Sequence, residues 1–220
     1  MRWLDIIFPP REDERVLRDV NALEFCARTN PQLVPYTRPA TVALLPFFDP
    51  IVRAAVHEAK YHGSAHAFAL LAAVLTDFLP DYLADSYHVG RRTSYMTLVP
   101  VPLGQKRLKE RGYNQVEEVA RRALTLLSMP DIELDITLLT RVRETTTQIS
   151  LTRAAREANM RDAFMVHPAK LAERSGADSH AMYIVLDDVL TTGATLGAAL
   201  DALVASGIPR DHLLPIALAH

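Results

Sequence analysis

The chain contains one cysteine, Cys26, among its 220 residues. A lone thiol forms no intrachain disulfide and cannot build a zinc site from several thiolates, so Cys26 reads as a packed, inert group and no zinc is expected. The eight histidines do not fill that gap. His62 and His66 are four apart, but Gly63 lies between them and no third ligand is evident. Long apolar runs are also missing: the longest, Ala67 to Leu75, is far short of the roughly 20 residues that cross a bilayer. Near the N-terminus, Asp5 and Pro9-Pro10-Arg11-Glu12-Asp13-Glu14 interrupt any signal-peptide core. A cytoplasmic chain without membrane insertion is therefore expected. There is no Gly-x-x-x-x-Gly-Lys-Ser/Thr, which argues against a P-loop nucleotidase. Neither internal repeats nor low-complexity segments occur.

What is present is an ordinary globular composition, 49% hydrophobic and 23% charged, sufficient for one main domain. The formal net charge of −2 conceals a division. Residues 91–170 hold 14 Lys/Arg against 9 Asp/Glu, and the remainder holds 10 against 17. A basic middle suits an anionic small molecule or a nucleic acid backbone, although a solvated surface gives similar counts.

Residues 1–48 carry charges around Arg11–Arg18 and prolines at 31, 35, 39 and 46 without a clear period, which predicts an irregular accessory region. From Asp49, a capping residue, Ile51, Val52, Ala55, Val56 and Ala59 recur at helical spacing until Gly63. A second helix is predicted from Ser64 to Leu79, ended by Pro80. Tyr95–Val101 predicts a strand, stopped by Pro100 and Pro102. Asn114 and Glu117 have capping-box spacing ahead of an apolar stripe through Val116, Val119, Ala120, Ala123, Leu124 and Leu127. Strands are predicted at Ile136–Arg141, Ala163–His167, Met182–Asp187 and Leu213–Leu218, with a helix from about Leu196 to Ser206 between the last two. Strands alternating with helices predict an α/β fold with a mainly parallel sheet over residues 49–220.

The segment Tyr183-Ile184-Val185-Leu186-Asp187-Asp188-Val189-Leu190-Thr191-Thr192-Gly193-Ala194-Thr195 carries the most chemistry. A buried strand ending in two acids, followed by a loop of small residues and a helix, places ligand-binding groups at the carboxyl edge of a parallel sheet. Backbone N–H groups of the loop and helix N-terminus, with the hydroxyls of Thr191, Thr192 and Thr195, make a phosphate cradle in which Gly193 permits the bend. Asp187 and Asp188 repel phosphate but accept hydrogen bonds from a pair of sugar hydroxyls, which points to a ribose phosphate. Adjacent strand residues face opposite ways, so both acids reach one ligand only if the strand twists out at that point. A metal-binding or phosphorylatable acid, or a structural cap, is the competing reading.

The thirteen-residue segment resembles the ribose-phosphate signature of type I phosphoribosyltransferases. Lys60-Tyr61-His62-Gly63, Val99-Pro100-Val101-Pro102-Leu103, Arg107, Arg111-Gly112-Tyr113-Asn114-Gln115, and Gln148, Arg153, Arg156 and Asn159 before Ala163-Phe164 extend the likeness. Together they resemble the ComF family of phosphoribosyltransferase-like proteins, from about Leu45 to the C-terminus. That resemblance implies a type I phosphoribosyltransferase fold binding phosphoribosyl pyrophosphate with Mg²⁺. Asp187 and Asp188 would hold the ribose, and Thr191, Thr192, Gly193, Ala194 and Thr195 the 5-phosphate. Pro102, Leu103, Arg107 and Arg111 would meet the pyrophosphate, and a flap including Arg143, Gln148 and Arg153 would cover the site. No direct protein ligand to the metal and no general base stands out. Exposed surface charge is the competing reading for Arg107 and Arg111, a helix C-terminal charge for Lys60, and a cap and a packing residue for Asn114 and Tyr113. The family's association with DNA uptake adds single-stranded DNA as an alternative partner, and an oligomer is compatible with the sequence. Many relatives begin with paired Cys-x-x-Cys motifs resembling a zinc ribbon, which this chain does not have.

Overall fold

The computed structural model describes residues 11–88, 95–143, 162–169 and 181–220. Two short helices, α1 (Glu12–Leu17) and α2 (Ala22–Cys26), precede two strands, β1 (Gln32–Val34) and β2 (Thr41–Leu45). Helices α3 (Pro50–His62) and α4 (Ala65–His88) lead to β3 (Tyr95–Pro100), α5 (Gln105–Arg111), α6 (Gln115–Leu127) and β4 (Ile132–Leu134). Then come β5 (Leu139–Arg141), β6 (Phe164–Val166), β7 (Ala181–Val189), α7 (Ala194–Ala205) and β8 (Leu213–Ala219).

Six strands form one sheet in the order β1-β2-β8-β7-β3-β4; only the β1–β2 pairing is antiparallel. The result is the mostly parallel α/β architecture that strand–helix alternation predicts. β7 lies in the middle and is apolar at Met182, Tyr183, Ile184, Val185 and Leu186, as a strand covered on both faces must be. Met182, Ile184 and Leu186 join the core built by α3, α4 and α6. Tyr183 and Val185 join the opposite core, with Leu196, Ala199, Leu200 and Leu203 of α7 and Leu139 and Phe164 of β5 and β6. β5 and β6 pair antiparallel as a separate two-stranded sheet.

The structure alters several expectations. The segment 1–48 is not irregular throughout, because β2 runs parallel beside β8 and β1 completes that edge. Its short strands escape a period-based reading. α4 continues past Pro80, since Leu75, Leu79 and Leu83 keep one buried face and that packing outweighs the lost backbone donor. With its full length, α4 holds a 20-residue stretch, Ala65–Ala84, long and apolar enough to cross a membrane by composition; half of its most apolar window is buried in the core. The strand predicted from Ile136 begins only at Leu139, because the Asp135 carboxylate accepts hydrogen bonds from the backbone of Thr137 and Leu138 and from the Thr137 hydroxyl, forming a turn.

Candidate ribose-phosphate site

β3 and β7 are parallel neighbours, with Pro100 opposite Leu186, so the chain leaves both strands at the same edge. The Val101 N–H still donates to the Leu186 carbonyl at 2.8 Å, which holds the start of the Val101–Gly104 loop against the last turn of sheet before the acid pair. This is the edge where open parallel sheets bind ligands.

β7 extends through Asp187 and Asp188 to Val189, so the acids retain strand alternation. Asp188 continues the row of Ile184 and Leu186 and points toward α3 and α6. Its Oδ2 lies 2.8 Å from Lys60 Nζ and accepts from Gln115 Nε2 at 2.7 Å, while Oδ1 accepts from the Val189 N–H at 2.7 Å. Burial pushes the Asp188 carboxyl up, but the Lys60 ammonium, with the Val189 and Gln115 donors, holds it below the usual carboxylate range. Asp187 continues the row of Tyr183 and Val185 on the opposite face. Its Oδ1 accepts the Asp188 N–H at 2.9 Å. Burial and then the neighbouring Asp188 charge push the Asp187 carboxyl up to about 7, against weaker opposing pulls from that hydrogen bond, Lys60 and Arg141.

Beyond Val189, the Leu190 N–H donates to the Ala219 carbonyl and the loop turns at Gly193, whose φ of 79° belongs to the left-handed region. Gly193 caps α7 without a side-chain cap, so the first-turn N–H groups of Ala194, Thr195 and Leu196 lack intrahelical acceptors. Among the described residues, the Thr192 hydroxyl makes a long contact to the Ala194 N–H, 3.4 Å. Residues 35–40 pack against this loop. A Cβ at Gly193 would lie 3.1 Å from Thr37 Cβ, and one at Gly197 would lie 2.8 Å from the Arg38 carbonyl oxygen. Thr37 is buried and donates its hydroxyl to the Val34 or Pro39 carbonyl, each 2.8 Å away. The His220 ring joins both sides, contacting the Leu190 carbonyl at 3.0 Å and the Tyr36 hydroxyl at 2.7 Å.

The two short motifs on the other face form one assembly. α3 starts at Asp49, whose carboxylate accepts from Ile51 and Val52 N–H, and stops at Gly63 with φ 61°. Tyr113 donates its hydroxyl to the Ala59 carbonyl at 2.9 Å, and its ring covers Gly63, where a Cβ would approach to 3.3 Å. Asn114 caps α6 by accepting from the Val116 N–H, and its amide donates to the Val101 carbonyl at 3.0 Å. Glu117 pairs with Arg121 on its own helix. Arg111 donates to the Gln115 side-chain oxygen and stands 5.8 Å from the centre of the Tyr61 ring. Lys60, Asp188, Gln115 and Arg111 thus form a continuous polar chain.

The structure therefore brings Asp187, Asp188, the 191–195 loop, Pro102, Leu103 and Arg111 to one sheet edge. Arg107 sits on α5 with no hydrogen bond or ion pair among the described residues. Arg143 is exposed just beyond β5, and its carbonyl accepts from Arg141 at 3.4 Å. Gln148 and Arg153 lie outside the described residues. Sequence reading left Lys60 between a ligand and a helix-end charge; here it spans from α3 to β7. Thr37 and Arg38 were missed altogether. A turn of Tyr-Thr-Arg-Pro between short strands gives no sign of its long-range partner, although Gly193 and Gly197 four residues apart signal a close approach of another backbone.

No protein-family model matches the chain. It is 30% identical over 122 residues to competence protein F of Haemophilus influenzae, a match covering 56% of this chain and 50% of that protein. The chain thus spans half the length of that relative. It is 27% identical over 185 residues to DNA utilization protein YhgH of Escherichia coli, covering 83% of this chain and 72% of that protein. The Shigella flexneri protein of the same name is 26% identical over the same share. These similarities support a relation of the chain to the ComF family.

Proposed function

We propose that the chain binds phosphoribosyl pyrophosphate with Mg²⁺ and transfers the phosphoribosyl group to a nitrogen nucleophile. The observation that carries this reading is the convergence, at adjacent ends of β3 and β7, of the acid pair, the Thr191–Thr195 loop opening α7, and the Val101–Gly104 loop with Arg111. Ribose hydroxyls meet Asp187, while Asp188, on the other face of β7, stays held by Lys60 and Gln115; the 5-phosphate meets the N–H groups and hydroxyls of the loop, and pyrophosphate meets the arginines. The carbon–oxygen bond from C1 to pyrophosphate breaks as the C1–nitrogen bond forms. Pyrophosphate leaves with the bonding electrons, and the nucleophile's proton passes to solvent, since no side chain is assigned as base. Catalysis is then positioning and charge stabilisation.

The oxygen-rich acid edge fits a hard divalent ion arriving with the ligand. Because Asp188 is already held by Lys60 and Gln115, the fit favours contact through ribose hydroxyls over direct protein ligation. When bound, Mg²⁺ supplies charge neutralisation of the pyrophosphate.

Thermal unfolding with Mg²⁺ and phosphoribosyl pyrophosphate tests binding. At about 100 times the dissociation constant, the native chain gains roughly 2.7 kcal/mol, and Asp187→Asn/Asp188→Asn does not. No gain in the native chain, or an equal gain in the variant, overturns the reading. Pyrophosphate release screened across bases and amines then identifies the nucleophile.

A second reading is favoured by the relatives' names and by the basic segment 91–170: a role in DNA uptake or utilisation, with single-stranded DNA as a partner. Its signature is DNA affinity that falls steeply with added salt. Weak binding with a flat salt response excludes it.

A further inference from the structure

The acid pair is asymmetric, and the asymmetry originates in Lys60. A lysine in the last turn of a helix ordinarily extends into water, yet the Lys60 side chain is 27% exposed and its partner Asp188 only 11%. Its backbone is fixed on several sides: Asp49 caps α3, Tyr113 holds the Ala59 carbonyl, and the Tyr113 ring lies on Gly63. An ionised carboxylate has about four acceptor positions. Asp188 commits three of them, to Lys60, Gln115 and the Val189 N–H, whereas Asp187 commits one, to the Asp188 N–H.

We propose that Lys60 is a positioning residue of the ribose site, fixing Asp188 and cancelling its charge so that Asp187 is the acid left open to the sugar hydroxyls. The ligand is then met by the open Asp187 carboxylate, with Asp188 held on the other face of β7. This rests on the ribose-phosphate reading given above. Among the described residues, the charged groups facing the pair are Lys60 from α3, on the Asp188 side, and Arg141 from β5, on the Asp187 side. Gln115 from α6 is neutral, and its link to Arg111 extends the chain toward the arm assigned to pyrophosphate. Lys60 touches Asp188, so the effect assigned to it here is exerted through that carboxylate.

The test uses the full chain, with Lys60→Met keeping the aliphatic stem and Lys60→Arg keeping the charge. Carbon-detected NMR titration of the Asp187 and Asp188 carboxyls is made without ligand, and calorimetry measures Mg²⁺–phosphoribosyl pyrophosphate binding. Lys60→Met is expected to raise the Asp187 midpoint by about one unit, because Asp188 loses its counter-charge. The same variant should weaken binding about tenfold, and Lys60→Arg should recover most of both changes. A merely structural lysine would leave the carboxyl midpoints in place. Unchanged midpoints, or native affinity in Lys60→Met, overturn this inference alone. A native chain that binds no phosphoribosyl pyrophosphate overturns the functional reading, and the ribose role of Lys60 with it.

Discussion

The hydroxyl of Tyr113 reaches across from the α5–α6 junction to the carbonyl of Ala59, 2.9 Å away, one residue before Lys60. That single bond links the end of one helix to the start of another and sets where the lysine side chain begins. Tyr113 also packs edge-on against Phe68 of α4, with ring centres 5.7 Å apart, so its ring stays anchored without the hydroxyl. Tyr113→Phe should therefore cost about 1 kcal/mol of stability in urea unfolding. It should also weaken ligand binding more than this loss alone implies, because the Ala59–Lys60 backbone is less constrained. A variant with native affinity and native stability would show that the bond positions nothing.

Asp187 gives the ligand-free protein an unusual pH response. Its folded value, about 7, lies above the ordinary value of about 4. Between those pH values the folded protein keeps a proton that the unfolded chain releases, so stability falls as pH rises through the window. Asp187→Asn removes that slope. At about pH 8 it should be more stable than the native chain while binding phosphoribosyl pyrophosphate less tightly. Asp188 acts in the opposite sense: its depressed value contributes stability that is present above the ordinary carboxylate range and lost as pH falls through it. Urea melts of both Asn variants across this range separate the two slopes.

Gly197→Ala tests the contact between residues 35–40 and the loop that opens α7. The new methyl would stand 2.8 Å from the Arg38 carbonyl oxygen, a backbone atom that yields only if the turn moves. A helical alanine is otherwise favourable by up to about 1 kcal/mol. Net destabilisation of roughly 1–3 kcal/mol, with weaker binding, is expected from the clash. A stabilised variant with native binding would mean that the turn shifts freely and takes no part in shaping the loop.

Glu58 is 1% exposed, and its two oxygens accept from Arg11 at 2.9 and 2.7 Å. The Arg11 hydrogen bonds hold the carboxyl below its usual range against the opposing effect of burial. Arg11 is half-exposed, so solvent screens much of the attraction. Arg11→Met still leaves a buried acid without its fork, and a loss of about 1–2 kcal/mol is expected. Arg11→Met/Glu58→Gln should recover part of it in the same unfolding assay.

The elements legible in the sequence are those whose signals are local. Asp49 and Gly63 mark the ends of α3, and the stripe from Val116 to Leu127 marks α6. The apolar run before Asp187 marks β7. Three-residue strands such as β1 and β4 have too few positions to show a period, and α4 passes Pro80 because distant residues pack its far side. The acid pair and the loop after it were legible as chemistry, since their residue types alone specify acceptors and donors. The unequal division between Asp187 and Asp188 was not. It depends on Lys60 and Gln115, which reach Asp188 only after α3, α6 and β7 have assembled.

The distance from Asp49 to Gly63 consequently sets the reach of Lys60 to Asp188 as well as the packing of the core. Each residue of a helix advances about 1.5 Å and turns by about 100°. One residue inserted between the Asp49 cap and Lys60 would leave a well-formed, well-capped helix, yet carry the ammonium around to another face. Such an insertion is therefore expected to break the Lys60–Asp188 pair while leaving the helix folded.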